Sequence, residues 1–276
     1  MVYKRILTIQ DISCVGQCSM TVAMPILSAC GHETCILPTA LLSTHTGGFG
    51  KPAVIPLNSG LDGIWRHWKD CGITFDAILV GYLGSVKAIE VAQKIMKELL
   101  APGGVSIVDP AMADHGRLYS GFDMEYAEAM AKLCRRAQII LPNITEAAMF
   151  SGVEFREMPD ENYVNSLLER LDHPCVVLTG VGYEEDMTGV AVRAADRQFY
   201  YAHRRLGKNY HGTGDMFAAA FTGALMKGKE LPEAVKIAAD FVCKCIENTE
   251  KAPAHWYGVK FEPVLSELAR VLNENG

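Results

Sequence analysis

The sequence predicts an α/β fold with a mostly parallel sheet, and three observations carry that prediction. Short apolar runs alternate with longer amphipathic ones along most of the chain. Each short run is rich in Ile, Val and Leu and stops within two residues of a Gly, Pro or Asp. That is how strands covered on both faces read. Strands alternating with helices imply right-handed crossovers, and therefore parallel neighbours.

In order, residues 6–9 read as the first buried strand and 34–37 as the second. Residues 77–80, 105–108, 138–141 and 175–178 complete a set of six. Between them, Ile64, Trp65 and Trp68 share one helical face ahead of Phe75. Val86, Ile89, Ala92, Met96 and Leu99 recur at three-to-four spacing. Residues 124–136 do the same and end on Arg135-Arg136, where positive charge suits the helix dipole. Past Gly180 the pattern changes. Residues 189–192 and 198–202 read as strands joined by a polar turn at Ala195-Asp196, a β-hairpin at a sheet edge. Three helices follow, over about 214–227, 232–248 and 262–273. With no internal repeat and no low-complexity linker, residues 1–276 are expected to form a single domain.

Composition narrows the function. The 276 residues are 49% hydrophobic and 21% charged, a globular profile with chain enough for a sizeable core. The formal charge is -6, and no basic block exceeds Arg135-Arg136 or Arg204-Arg205, which argues against a nucleic-acid or membrane-surface footprint. Nine cysteines, an odd number scattered through apolar segments, read as reduced thiols of a cytoplasmic protein. Cys14/Cys18 and Cys243/Cys245 lack a second pair at metal spacing, so no zinc site is expected. The N-terminus does not read as a signal peptide, and no apolar run reaches membrane-spanning length.

The chemistry concentrates in a few loops. His211-Gly212-Thr213-Gly214-Asp215 leads into a helix. Two glycines two apart let the backbone turn tightly, and the N–H groups of the helix start can hold an anion. Asp215 in the first turn can accept a proton from an alcohol while those N–H groups hold a transferring phosphoryl group. The same residues also read as an ordinary capped helix start. A carboxylate beside a helix N-terminus is expected to be a weak base, which phosphoryl transfer tolerates because the base acts late.

Pro142-Asn143-Ile144-Thr145-Glu146 follows another strand. Asn143 and Glu146, three apart, can face one point and suit water-mediated Mg²⁺ binding. Taken alone, a capping box explains the pair better. Asp109-Pro110 closes a strand at the edge where ligands of open α/β sheets gather, and Asp109 there can help hold a metal or phosphates. Gln10-Asp11-Ile12-Ser13 and Ser43-Thr44-His45-Thr46-Gly47-Gly48 follow strands and offer a carboxylate and hydroxyls to a polar ring substrate. A Walker A loop, the protein-kinase motifs, a dinucleotide fingerprint and a Gly-x-Ser-x-Gly elbow are all missing.

In chain order these segments, with Gly81-Tyr82-Leu83-Gly84-Ser85, resemble the ribokinase-like superfamily and most closely its pyridoxal/pyridoxamine kinases. The likeness runs over nearly the whole chain. It implies a three-layer α/β/α fold, ATP and Mg²⁺, often a monovalent cation such as K⁺, and a homodimer. The implied reaction phosphorylates the 5′-hydroxymethyl of pyridoxamine, pyridoxal or pyridoxine. Position by position, Asp215 resembles the base, and Gly212, Thr213 and Gly214 the anion hole. Asp109 and Glu146 fall near ATP and its metal, Thr179 at the nucleotide, and Thr46 and Tyr82 in the pyridine pocket.

Three departures stand out. Asp11-Ile12-Ser13 replaces the usual Ser-His-Val and is similar to hydroxymethylpyrimidine kinases of thiamin synthesis. Gly47-Gly48 replaces a frequent Gln-Tyr, and Thr179 a common Lys. A carboxylate at Asp11 is expected to favour an amine-bearing ring such as pyridoxamine. Hydroxymethylpyrimidine phosphorylation is the second reading. A non-catalytic vitamer-binding or regulatory protein on the same fold is a third, which the retained Asp215 argues against.

Overall fold

The computed structural model describes residues 3–195, 197–206, 210–252 and 254–273. Asp196 of the expected hairpin turn lies outside them. The strands are β1 (Arg5–Ser13), β2 (Glu33–Leu42), β3 (Val54–Pro56), β4 (Phe75–Val80), β5 (Leu100–Val108), β6 (Ala113–Asp114), β7 (Arg117–Leu118), β8 (Ile139–Ile140), β9 (Cys175–Val181), β10 (Met187–Ala194) and β11 (Arg197–Arg204). The helices are α1 (Met20–Ala29), α2 (Asn58–Asp70), α3 (Val86–Glu98), α4 (Met124–Cys134), α5 (Ile144–Ser151), α6 (Glu161–Arg170), α7 (Thr213–Met226), α8 (Leu231–Glu250) and α9 (Leu265–Asn273).

One sheet runs β11-β10-β9-β8-β5-β4-β1-β2-β3. From β9 to β2 every pair is parallel; β10, β11 and β3 are antiparallel additions at the two edges. The six strands read from the sequence and the edge hairpin are all present.

Alternation along the strands divides the core in two. Leu7, Ile9, Ile78, Val80, Val108, Val176 and Leu178 pack against residues of α2 through α6. Ile6, Ala77, Leu79, Ile107 and Val177 pack against α1, α7, α8 and α9. The result is three layers, helices on both faces of one sheet. In the second layer, small residues bring α7 close to α1. A Cβ on Gly223 would stand 2.4 Å from Cys30 Sγ.

Four pieces went unread in the sequence. Helix α1 carries Pro25 in its interior and has no side-chain cap bond from Ser19, which hides its start, although Gly31 with φ 83° closes it. Helix α6 does have a capping Asp160, but its polar surface hides four buried positions. Strand β3 is three exposed residues at an edge. The β6–β7 hairpin is two residues a side, turning at His115-Gly116. Its Asp-His-Gly sequence is a turn signal that could have found it.

Parallel strands put the loops after β1, β4, β5, β8 and β9 at one edge. The chain runs from β1 outward to β2 on one side and to β4 on the other, so the β1/β4 boundary is a topological switch point. Asp11 and Tyr82 sit there, and the residue 11 N–H donates to the Tyr82 carbonyl at 3.1 Å.

Candidate active site

Gly212 is the residue before α7 and has φ 83°. A Cβ there would lie 2.0 Å from the Gln17 carbonyl oxygen, so the turn needs glycine for both conformation and room. Asp215 follows in the first turn, half-buried. Its Oδ2 accepts from the Ser19 N–H at 2.8 Å. Ser19 holds φ 53° to aim that donor, a left-handed conformation that costs a non-glycine residue about 1–3 kcal/mol. No feature of the sequence announced this contact.

The environment of Asp215 corrects one expectation. Desolvation, aided by the charge of Asp11, pushes its carboxyl up to about 7, and the Ser19 N–H only partly opposes the shift. The helix start does not make it a weak base, because burial outweighs the dipole. Such a group gains and loses a proton near neutrality, as a general base should.

Asn143 and Glu146 form a complete capping box at the start of α5. Asn143 Oδ1 accepts from the Glu146 N–H at 3.0 Å, and Glu146 Oε2 accepts from the Asn143 N–H at 2.9 Å. The remaining groups clamp the β6–β7 hairpin. Glu146 Oε1 accepts from Met112 N–H at 2.8 Å, and Asn143 Nδ2 donates to the Ala113 carbonyl at 2.7 Å. The two side chains therefore bond each other and the hairpin, as the capping-box reading of the pair has it. A helix start and a buried hairpin both leave N–H groups that need acceptors. Desolvation nevertheless pushes the Glu146 carboxyl up to about 7.

Asp109 lies beside this arrangement. Its Oδ1 accepts from the Ala111 N–H at 3.1 Å, and its Oδ2 faces the glycine turn, 3.8 Å from where a Gly214 Cβ would be. Its carboxyl is raised well above the usual range by desolvation, then by the charges of Glu146 and Asp215. Among the described residues no three His, Cys, Asp or Glu side chains are grouped to hold a metal directly. The donor set of Asp109, with Glu146 behind it and no cation among the leading influences on either, fits a largely hydrated Mg²⁺ shared with phosphates.

Thr179 ends the inner part of β9 against this loop. It bridges to Asn143, and its N–H donates to the Pro142 carbonyl at 2.9 Å. Gly180 follows with φ 71°. The residue thus lies at the sheet edge beside the capping box.

A cavity of about 620 Å³ is lined by Thr46, Lys51, Asn58, Tyr82, Ser85 and Ser120 among others. Thr46 and Tyr82 are two of the expected ring-pocket residues; Lys51, Asn58, Ser85 and Ser120 were not foreseen. Tyr82 lies tilted against Phe122, centroids 5.2 Å apart, and Phe122 in turn stacks face to face on Tyr126 at 3.7 Å. Asp11 and Ser13 are buried at the end of β1, joined through Ser13 Oγ donating to Asp11 Oδ2 at 3.2 Å.

The Gly47-Gly48 departure has a packing cause. A Cβ on Gly47 would meet the His211 ring at 2.3 Å, and one on Gly48, with φ 82°, would meet Trp256 at 2.7 Å. His45 holds this corner together. Its Nδ1 accepts from the Gly47 N–H at 3.0 Å, which leaves Nε2 to donate to the Tyr257 carbonyl at 2.8 Å. Thr46 is thereby fixed between two anchored neighbours.

The doubly covered parallel sheet, the glycine turn and the carboxylates at its C-terminal edge define the ribokinase-like class. Comparison with known proteins agrees. A family model described as phosphomethylpyrimidine kinase matches residues 27–259. The crystal structure of pyridoxal kinase from Lactobacillus plantarum superposes with a TM-score of 0.89 at 33% identity, covering 98% of each chain. A Bacteroides thetaiotaomicron protein crystallised with pyridoxal gives 0.90 at 33% identity, over 97% of this chain and 96% of that one. Pyridoxine kinase of Bacillus subtilis is 32% identical over 185 residues, 64% of this chain and 66% of that protein, so the match spans just under two thirds of that relative. The chain belongs to the phosphomethylpyrimidine kinase family, in its pyridoxal kinase branch of the ribokinase-like superfamily.

Proposed function

We propose that this chain transfers the γ-phosphoryl group of ATP to the 5′-hydroxymethyl of a vitamin B6 vitamer, giving the 5′-phosphate and ADP. One observation carries the reading. A carboxyl poised near neutrality, Asp215, stands in the first turn behind an obligate-glycine N–H turn and feels the charge of Asp11, which also reaches Tyr82 of the cavity wall. In this reading Tyr82 and Thr46 hold the ring, with Asp11 and Ser13 behind it. Asp215 accepts the alcohol proton as the bond to phosphorus forms. The N–H groups of Gly212, Thr213 and Gly214 receive the charge that builds on the transferred oxygens. Asp109, Glu146 and Thr179 border the nucleotide. Mg²⁺, when bound, neutralises charge on the phosphates, and Asp109 would be its nearest protein donor, with Glu146 and Asn143 in outer positions.

Similarity to kinases known with pyridoxal and pyridoxine supports the vitamer. The name of the family model and the Asp11-Ile12-Ser13 segment favour hydroxymethylpyrimidine as the second acceptor. A purely binding protein would have no use for a carboxyl held near neutrality beside the phosphate turn. We also read residues 1–276 as one kinase domain acting in the cytoplasm as a homodimer, with K⁺ as an activator. No described helix is long and apolar enough to cross a membrane.

The test is ADP release with pyridoxal, pyridoxamine, pyridoxine and hydroxymethylpyrimidine, each with K⁺ or Na⁺, and Asp215→Asn as the control. Turnover of a vitamer that disappears in the variant supports the proposal. Turnover of hydroxymethylpyrimidine alone would replace it with the second reading.

A further inference from the structure

Four carboxylates gather at the C-terminal edge of the sheet: Asp11, Asp109, Glu146 and Asp215. The leading charges acting on them are one another, Asp114 and His45, with no Lys or Arg among these. Three have evident business. Both oxygens of Glu146 accept backbone N–H groups, Asp215 is held by Ser19, and Asp109 faces the phosphate turn.

Asp11 is different. It is 2% exposed, and its Oδ1 accepts no hydrogen bond. A buried carboxylate oxygen without a donor is costly and asks for a reason. His45 does not supply the donor, because both of its ring nitrogens are engaged by Gly47 and Tyr257. Its other neighbours are Ser13 and Ser19, whose hydroxyls stabilise its charge, and Cys18 and Tyr82, none of them a cation. The position is not accidental in the backbone. The β1–β2 register shifts between Gln10 and Ile12, at Asp11, where a bulge re-aims side chains. Asp11 thus stands between Tyr82 on the cavity wall and Asp215, close enough that its charge is felt by both.

We infer that Asp11 anchors a cationic N–H group of the acceptor, so that the enzyme favours acceptors carrying a protonated nitrogen. The inference rests on the B6 reading. It supplies what the free Oδ1 lacks, a donor that also carries the missing positive charge. Two nitrogens have that chemistry. The ring nitrogen is common to all three vitamers, and the aminomethyl ammonium belongs to pyridoxamine alone.

The experiment measures kcat/KM for pyridoxamine, pyridoxal and pyridoxine in wild type and Asp11→Asn, with wild-type binding of pyridoxine and of its benzene-ring analogue alongside. A tenfold or greater fall confined to pyridoxamine assigns the ammonium. An equal tenfold fall for all three, with weak binding of the benzene analogue by wild type, assigns the ring nitrogen. Changes below twofold for every vitamer overturn the inference while leaving the kinase reading intact. So does equal wild-type binding of pyridoxamine, pyridoxine and the benzene analogue, a result that needs no folded variant. Wild type that phosphorylates no vitamer removes the B6 reading and this inference with it.

Discussion

The two edges of the central sheet handle acidic side chains in opposite ways. At the N-terminal edge, Asp76 of β4 is met by Lys4 Nζ at 2.9 Å and by the Arg5 N–H at 2.8 Å, and Arg5 also pairs with Glu33. Desolvation there is outweighed by these partners, and the Asp76 carboxyl is held below its ordinary value. At the C-terminal edge four carboxylates share a small volume, and all four are raised. One edge is neutralised by the chain itself. At the other, no Lys or Arg of the described residues is among the leading influences on the acids. The fold can carry that deficit because the deficit sits in loops, while the strands beneath are packed on both faces.

The sharpest way to break this contrast is at Asp215. Asp215→Asn is expected to lower kcat by about 10²–10⁴-fold, the usual worth of a general base, while ATP binding by calorimetry stays near wild type. A variant with near-normal turnover would remove the base assignment. The wild-type kcat/KM should rise with pH through about 7, where Asp215 loses its proton, and level off above it.

Gly212→Ala comes next. The added Cβ collides with the Gln17 carbonyl and the residue must hold φ 83°. Strain of about 1–3 kcal/mol is expected before the clash is counted. A melting temperature several degrees lower and at least a tenfold loss of kcat should follow. Unchanged kcat would show that the turn does not shape the anion site.

Stability against pH tests the charge deficit directly. Asp215 and Glu146 ionise near 7 when folded, against ordinary values of 3.8 and 4.5. The folded chain therefore holds protons that the unfolded chain releases, and stability falls as pH rises from about 4 to about 7. Added Mg²⁺ should offset it, raising the melting temperature more at pH 8 than at pH 5.5. An equal shift at both values would mean that the cation acts elsewhere.

The smallest effect belongs to the neutralised edge. Asp76→Asn removes a carboxylate about one-third exposed and should cost about 1 kcal/mol or less. Turnover should not move. A large loss of kcat would mean that the two edges are coupled through the sheet.

The same contrast marks what could be read without coordinates. The strand at 77–80 carries Ala77, Ile78, Leu79 and Val80, apolar on both faces, and only a strand between two helix layers is built that way. The catalytic turn was legible because two glycines before a helix and an acid in its first turn are a local pattern. Helix α1 was not, since its burial depends on Cys30 and Ala23 meeting α7 across the layer, and Pro25 contradicts the local signal. The Asn143/Glu146 spacing was legible but double-valued. Its outcome as a capping box that also clamps the β6–β7 hairpin depends on Met112 and Ala113, about 30 residues away in sequence.

The sequence by itself determined the layer order, the parallel sheet, the family and the short list of polar residues at one edge. Strand periodicity, glycine spacing and acid placement are local, and local patterns survive in one dimension. Only the tertiary structure decided how those acids behave. It buried Asp215 against Ser19 and Asp11 and so raised it to about 7, spent Glu146 on backbone N–H groups, and left Asp11 with a free oxygen. The reason is that desolvation and charge coupling depend on distances through space between loops that the chain brings together from 11 to 215.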